Sequence, residues 1–263
     1  MEAKNSDIPL RWVTLVITLI NIGFSYMLDV FTDIPSIKNL TYQYKTLFVP
    51  ASYAFAIWGV IYLAYIIYCV VQLLPSQKNK SGYDQLNIPF LIVNLLGIVW
   101  VYAFRQSLVA FSEAVIVAML ICSIALFSIA QRLVRRLHYS RWIIVPFSML
   151  MGWLSVAVIA GTAVFLVAIQ WDAMGIDAAN WVMILLAVVL LLSLLIGTGY
   201  KDITYPLVIS WGTFALWISL KNVVLLPAQV ALGVAVISLL IALWAVVKQL
   251  RYKRIKPSNE NSL

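Results

Sequence analysis

Long apolar runs alternate with short polar breaks along this chain, and each run is about twenty residues long. A run of that length crosses a bilayer as an α-helix, whereas a membrane strand needs only about ten residues of strict alternation. Eight runs follow: residues 12–28, 50–74, 88–104, 108–133, 142–169, 181–196, 203–220 and 223–247. Their limits are set by helix-ending or polar residues: Asp29 after the first, Pro75 after the second, Arg105 after the third, and Gly197 with Gly199 after the sixth. Pro50, Pro89 and Pro206 fall in the predicted first turns of the second, third and seventh runs, where a missing N–H has no partner to lose. The pattern predicts an all-α, polytopic transmembrane bundle.

Charge supports the count. With eight spans both termini share one side, and Lys38, Lys45, Arg105 and Lys221 fall on the other. The remaining fourteen of the 18 Lys and Arg residues gather on the terminal side. That bias makes the terminal side cytoplasmic. The basic stretch 248–256 then reads as a juxtamembrane anchor to anionic lipid. The net charge of +8 is accounted for by topology, with no nucleic-acid partner implied. Composition agrees: 63% of residues are hydrophobic and only 11% are charged, against about a quarter in soluble domains. Cys69 and Cys122 lie inside apolar runs and read as small core residues.

The second run carries an aromatic stripe. Phe55, Trp58, Tyr62 and Tyr65 recur at three- and four-residue steps and share one helical face, with small Ala51 a turn away. Trp and Tyr bring a polar handle into an apolar setting. The stripe suits either a helix–helix seam or one wall of a pocket for a flat apolar ligand. In the fifth run Ser148 and Gly152, then Ala157 and Gly161, are small residues four apart, which predicts a central helix in close contact with neighbours. Trp153 among them fills a gap or meets a ligand.

Polar residues within the runs are few. Asn21 and Asn94 either bond to each other's helices or point into a pocket, and Asn222 ends the seventh run. Arg105 and Glu113 flank a tight turn and read as a surface ion pair. The longest connection, 29–49, carries enough apolar side chains to fold over the helix ends as a lid. No ionisable residue lies near a span centre, as ion-coupled transporters usually require. No metal-ligand spacing, phosphate loop, nucleophile motif or paired acid–base set is present.

The order Pro50, Tyr53, Phe55, Trp58, Tyr62 resembles the second-helix signature of the TspO/MBR family, the tryptophan-rich sensory proteins related to the mitochondrial translocator protein. Asn94, Trp100 and Phe104 are similar to that family's third helix. Pro146, Phe147, Trp153 and Ala157 are similar to its fifth. Ten tryptophans fit the same family. The chain departs from the pattern at Val49, where the family usually has a second proline, and at Ala160-Gly161, where the family's fifth helix usually has an asparagine.

The resemblance implies a five-helix core over residues 1–170, including the loop 29–49. Three additional helices over 171–256 and a disordered tail over 257–263 follow. It also implies a pocket for a flat hydrophobic molecule, a porphyrin or other tetrapyrrole or a sterol-like ligand, with the first loop as its cap. Expected ligand contacts are Asn21, Pro50, Tyr53, Phe55, Trp58, Tyr62, Asn94, Trp100 and Trp153. No catalytic residue, metal or bound cofactor is expected beyond the porphyrin as ligand. Expected partners are membrane lipid and a hydrophobic small molecule, with oligomers open, and the expected location is a bacterial plasma membrane. The alternative reading is a secondary transporter of a small hydrophobic or amphipathic substrate. Porphyrin breakdown ranks last, for want of an acid–base set.

Overall fold

The computed structural model describes residues 7–31, 43–44 and 46–255. Among the described residues there are eight α-helices: α1 Ile8–Phe31, α2 Ile57–Leu73, α3 Gly82–Arg105, α4 Val109–Leu137, α5 Val145–Ala168, α6 Ala178–Gly199, α7 Thr204–Leu220 and α8 Leu225–Ile255. Among the described residues there is no strand. Helices satisfy every backbone polar group within themselves, which hydrocarbon demands. Seven spans are long and apolar enough to cross a membrane, and α7, at 17 residues, is the shorter apolar helix. The chain is a polytopic helical membrane protein, as its pattern predicts.

Two helix starts differ from expectation. The second span does not open as an α-helix at Pro50. A 3-10 turn, Ser52–Ala56, precedes α2. The reason is a tertiary contact: the Ala51 N–H donates to the Ala215 carbonyl of α7 at 3.0 Å, which holds Ala51 extended. The third span begins at Gly82, so Pro89 lies inside α3 and costs it one internal bond. The extra turns are held from outside. The Gly82 N–H donates to Tyr139 Oη at 2.9 Å, and Arg11 grips the preceding turn.

Arg11 is more than a topological charge. It is fully buried, and its guanidinium donates to Asp84 Oδ1 (3.0 Å) and to the carbonyls of Gln72 (2.8 Å), Gln77 (2.9 Å) and Lys80 (2.8 Å). This clamp fastens α1 to the α2–α3 turn. Further along α1, Asn21 Nδ2 donates to Asn94 Oδ1 at 3.0 Å, and Ser25 and Tyr62 share a hydrogen bond at 3.1 Å. Gln72 and Asn87, fully buried polar residues, escaped the sequence reading.

Helix α5 is central, packing against α2, α4 and α7. Its two pairs of small residues have different uses. At Gly152 an added Cβ would stand 3.1 Å from Val208, and at Gly212 of α7 it would stand 3.3 Å from Val156, so this is the close α5–α7 crossing. The Ala157–Gly161 half of α5 leaves open space instead. On the far side Ser193 of α6 donates to Ser238 of α8 at 3.0 Å. The expected division at residue 170 runs along the tightly packed α5–α7 interface. The tail 257–263 and most of the expected lid, residues 32–42 and 45, lie outside the described residues. Phe48 and Val49, at the end of that loop, are buried.

Candidate ligand cavity

Above the small residues of α5 the bundle holds a half-open cavity of about 50 Å³. This is smaller than the range usual for small-molecule sites, about 300–1,000 Å³, so a ligand with fused rings must widen the cavity or occupy its mouth. Pro50 and Val109 stand among its lining residues, and Val156, Ala157, Ala160, Gly161 and Val164 of α5 form one side. The cavity exists because those α5 positions are small or short while their neighbours are rings.

The rings come from three helices and the 3-10 turn. Trp58 of α2 lies 6.0 Å from Trp100 of α3, with planes 32° apart, and Trp100 stacks on Phe104 at 5.6 Å and 22°. These three faces make a continuous aromatic wall. Phe55 and Trp153 meet edge to face at 6.1 Å and 81° and bound the cavity elsewhere. Inserting a flat ring between two others needs about 7 Å, twice van der Waals contact. The Trp58–Trp100 gap is too narrow for that.

Of the expected contacts, Pro50, Phe55, Trp58, Trp100 and Trp153 line this cavity. Tyr53 turns the other way and meets Trp211 of α7 edge to face at 5.1 Å. Tyr62 faces α1 through Ser25 and Tyr26. Asn21 and Asn94 are buried against each other and are not among the lining residues. The aromatic stripe of α2 is therefore divided. Its Phe55–Trp58 end lines the cavity, and its Tyr62–Tyr65 end is a packing seam, with Tyr65 against Phe90 at 4.7 Å.

Two polar features belong to the cavity. Trp153 is 3% exposed, and its Nε1–H is buried with no acceptor among the described residues. Glu113 of α4 lines the cavity, and its Oε1 accepts a hydrogen bond from Thr162 Oγ1 at 2.7 Å. The surface pairing expected of Arg105 and Glu113 gives way to this arrangement: Arg105 is buried and the carboxylate turns inward to α5. Gly161 permits it, since a Cβ there would overlap Glu113 Oε2. The sequence signal was available: Val109, Ser112, Glu113 and Ile116 share one face of α4 by helical spacing, and all four line the cavity. Among the described residues no cluster of His, Cys, Asp or Glu has the makings of a metal site.

These features define a multi-pass helical membrane protein with an aromatic cavity inside the bundle. The model of the family described as TSPO-like protein matches residues 11–247, and the chain belongs to that family. The match begins within α1 and ends within α8, so it reaches each of the eight helices described above. Comparisons with curated proteins and with solved structures give no match.

Proposed function

We propose that this protein binds a flat, apolar small molecule in the aromatic cavity and acts as a membrane-embedded receptor or carrier for it, without chemistry of its own. The observation that carries the reading is the convergence of Trp58, Trp100 and Trp153, from three helices, on one unfilled cavity. A tetrapyrrole or sterol-like body fits the wall, since conjugated rings stack on indole and phenyl faces. The family and the cavity support this ligand class together. The charge bias of the loops favours a cytoplasmic location for both termini, and a bacterial plasma membrane suits the reading.

The test is quenching of tryptophan fluorescence by a porphyrin without carboxylate groups in detergent, with Trp58→Phe and Trp153→Phe beside the wild type. Saturable quenching in the micromolar range or tighter, weakened by either change, supports the reading. Linear quenching that is alike in all three proteins reduces the porphyrin to a passenger of the micelle and removes the ligand site.

A further inference from the structure

Among the described residues lining the cavity Glu113 is the one acidic side chain, and the rest of that lining is almost wholly apolar. It is placed there by two matched features of α5. Thr162 donates to Oε1 at 2.7 Å, which fixes the carboxyl group, and Gly161 clears the space in which Oε2 lies. A carboxylate has about four acceptor positions, and Thr162 fills one. Across the same cavity the buried Nε1–H of Trp153 has no acceptor among the described residues. An unpaired buried donor is costly, and a ligand acceptor recovers that cost. The cavity thus offers an acidic acceptor and an unsatisfied donor around an aromatic wall.

We infer that Glu113 sets ligand specificity in this cavity. It selects a flat aromatic molecule with a cationic or strongly hydrogen-bond-donating nitrogen and rejects one with a carboxylate at the same end. The inference rests on the ligand-binding reading of the cavity and names the ligand chemistry that the site prefers. The overall charge works against the preference, because a net charge of +8 draws anions and repels cations. Selection for a cation must therefore come from the site. Two groups in the cavity can attract one: the Glu113 carboxylate and the indole faces, by cation–π attraction. Removing only the carboxylate separates them.

The experiment uses the full chain in a non-ionic detergent and three tricyclic probes of one shape: 9-aminoacridine (cationic), anthracene (neutral) and 9-acridinecarboxylate (anionic). Binding is read from tryptophan quenching for the wild type, Glu113→Gln and Gly161→Ala. Glu113→Gln keeps an oxygen for Thr162, so the helix contact survives. The wild type should bind the cation about tenfold more tightly than the neutral probe, the size of one charge-assisted hydrogen bond, and the anion least of all. Glu113→Gln should erase the cation preference and leave anthracene affinity within about twofold. Gly161→Ala should weaken cation binding by displacing the carboxylate. If all three probes bind the wild type saturably and alike, or if Glu113→Gln keeps the preference, Glu113 has no such role and the ligand cavity itself still stands. If no probe binds saturably, the cavity reading fails and this inference fails with it. A wild type without cation preference overturns the inference even if a variant does not fold, and if Glu113→Gln does not fold, Gly161→Ala separates the carboxylate from the indole faces.

Discussion

Ser148 Oγ donates to Asp202 Oδ1 across 2.6 Å in a buried site, joining the first turn of α5 to the turn before α7. The same carboxylate oxygen accepts the Tyr205 N–H at 2.8 Å and so caps α7. Asp202 is 3% exposed, and one bond of this set links the two stretches of sequence that meet at residue 170.

Burial pushes the Asp202 carboxyl above the ordinary carboxylate range, although Ser148, the Tyr205 N–H and the positive charge of Arg141 oppose the shift. The sign follows. A folded-state value above the unfolded one means that the folded protein holds the proton more tightly. Stability is then greatest below the unfolded value and falls as pH rises through the folded one. Thermal midpoints in detergent should decline across that window for the wild type. Asp202→Asn should flatten the decline, and an unaltered slope in the variant would assign the effect to other groups.

Asp84→Ala should be costly. It leaves the fully buried Arg11 guanidinium with three carbonyl partners and no counter-charge. Breaking a buried pair costs about 3–5 kcal/mol, and the low end applies here because Asp84 is partly exposed. Asp84→Asn keeps an acceptor for Arg11 and should lose less. The measurement is the unfolding midpoint of the purified protein, which should drop clearly for alanine and modestly for asparagine.

Asn94→Leu separates packing from binding. It removes the bond to Asn21 and strands that amide in the bundle, at a cost of about 0.5–2 kcal/mol. Both residues lie outside the cavity lining, so porphyrin or acridine affinity should stay within about twofold of wild type. A tenfold loss of affinity at unchanged fold would bring Asn94 back into the site.

The number of spans and the charge bias were legible because each depends on composition along the chain. Twenty apolar residues have no other stable state in a bilayer, and the cost of a charge in hydrocarbon does not depend on which helix is next to it. The rings of the cavity were partly legible for the same reason: Phe55 and Trp58 share a helical face whatever they meet. What that face meets was not legible. Tyr62 continues the stripe by spacing, yet α1 covers it. Tyr53 belongs to the motif by order, yet the 3-10 turn, held by Ala215, aims it at Trp211.

Sequence alone determined that this is a helical membrane protein with an aromatic second span and a small-residue fifth span. Tertiary structure alone decided where the space is and what it contains. Gly152 and Gly161 are the same residue in the same helix, but one is filled by α7 and the other admits the carboxylate of Glu113 beside an open cavity. A glycine specifies that a neighbour can approach, and only the packing of all the helices specifies which neighbour does.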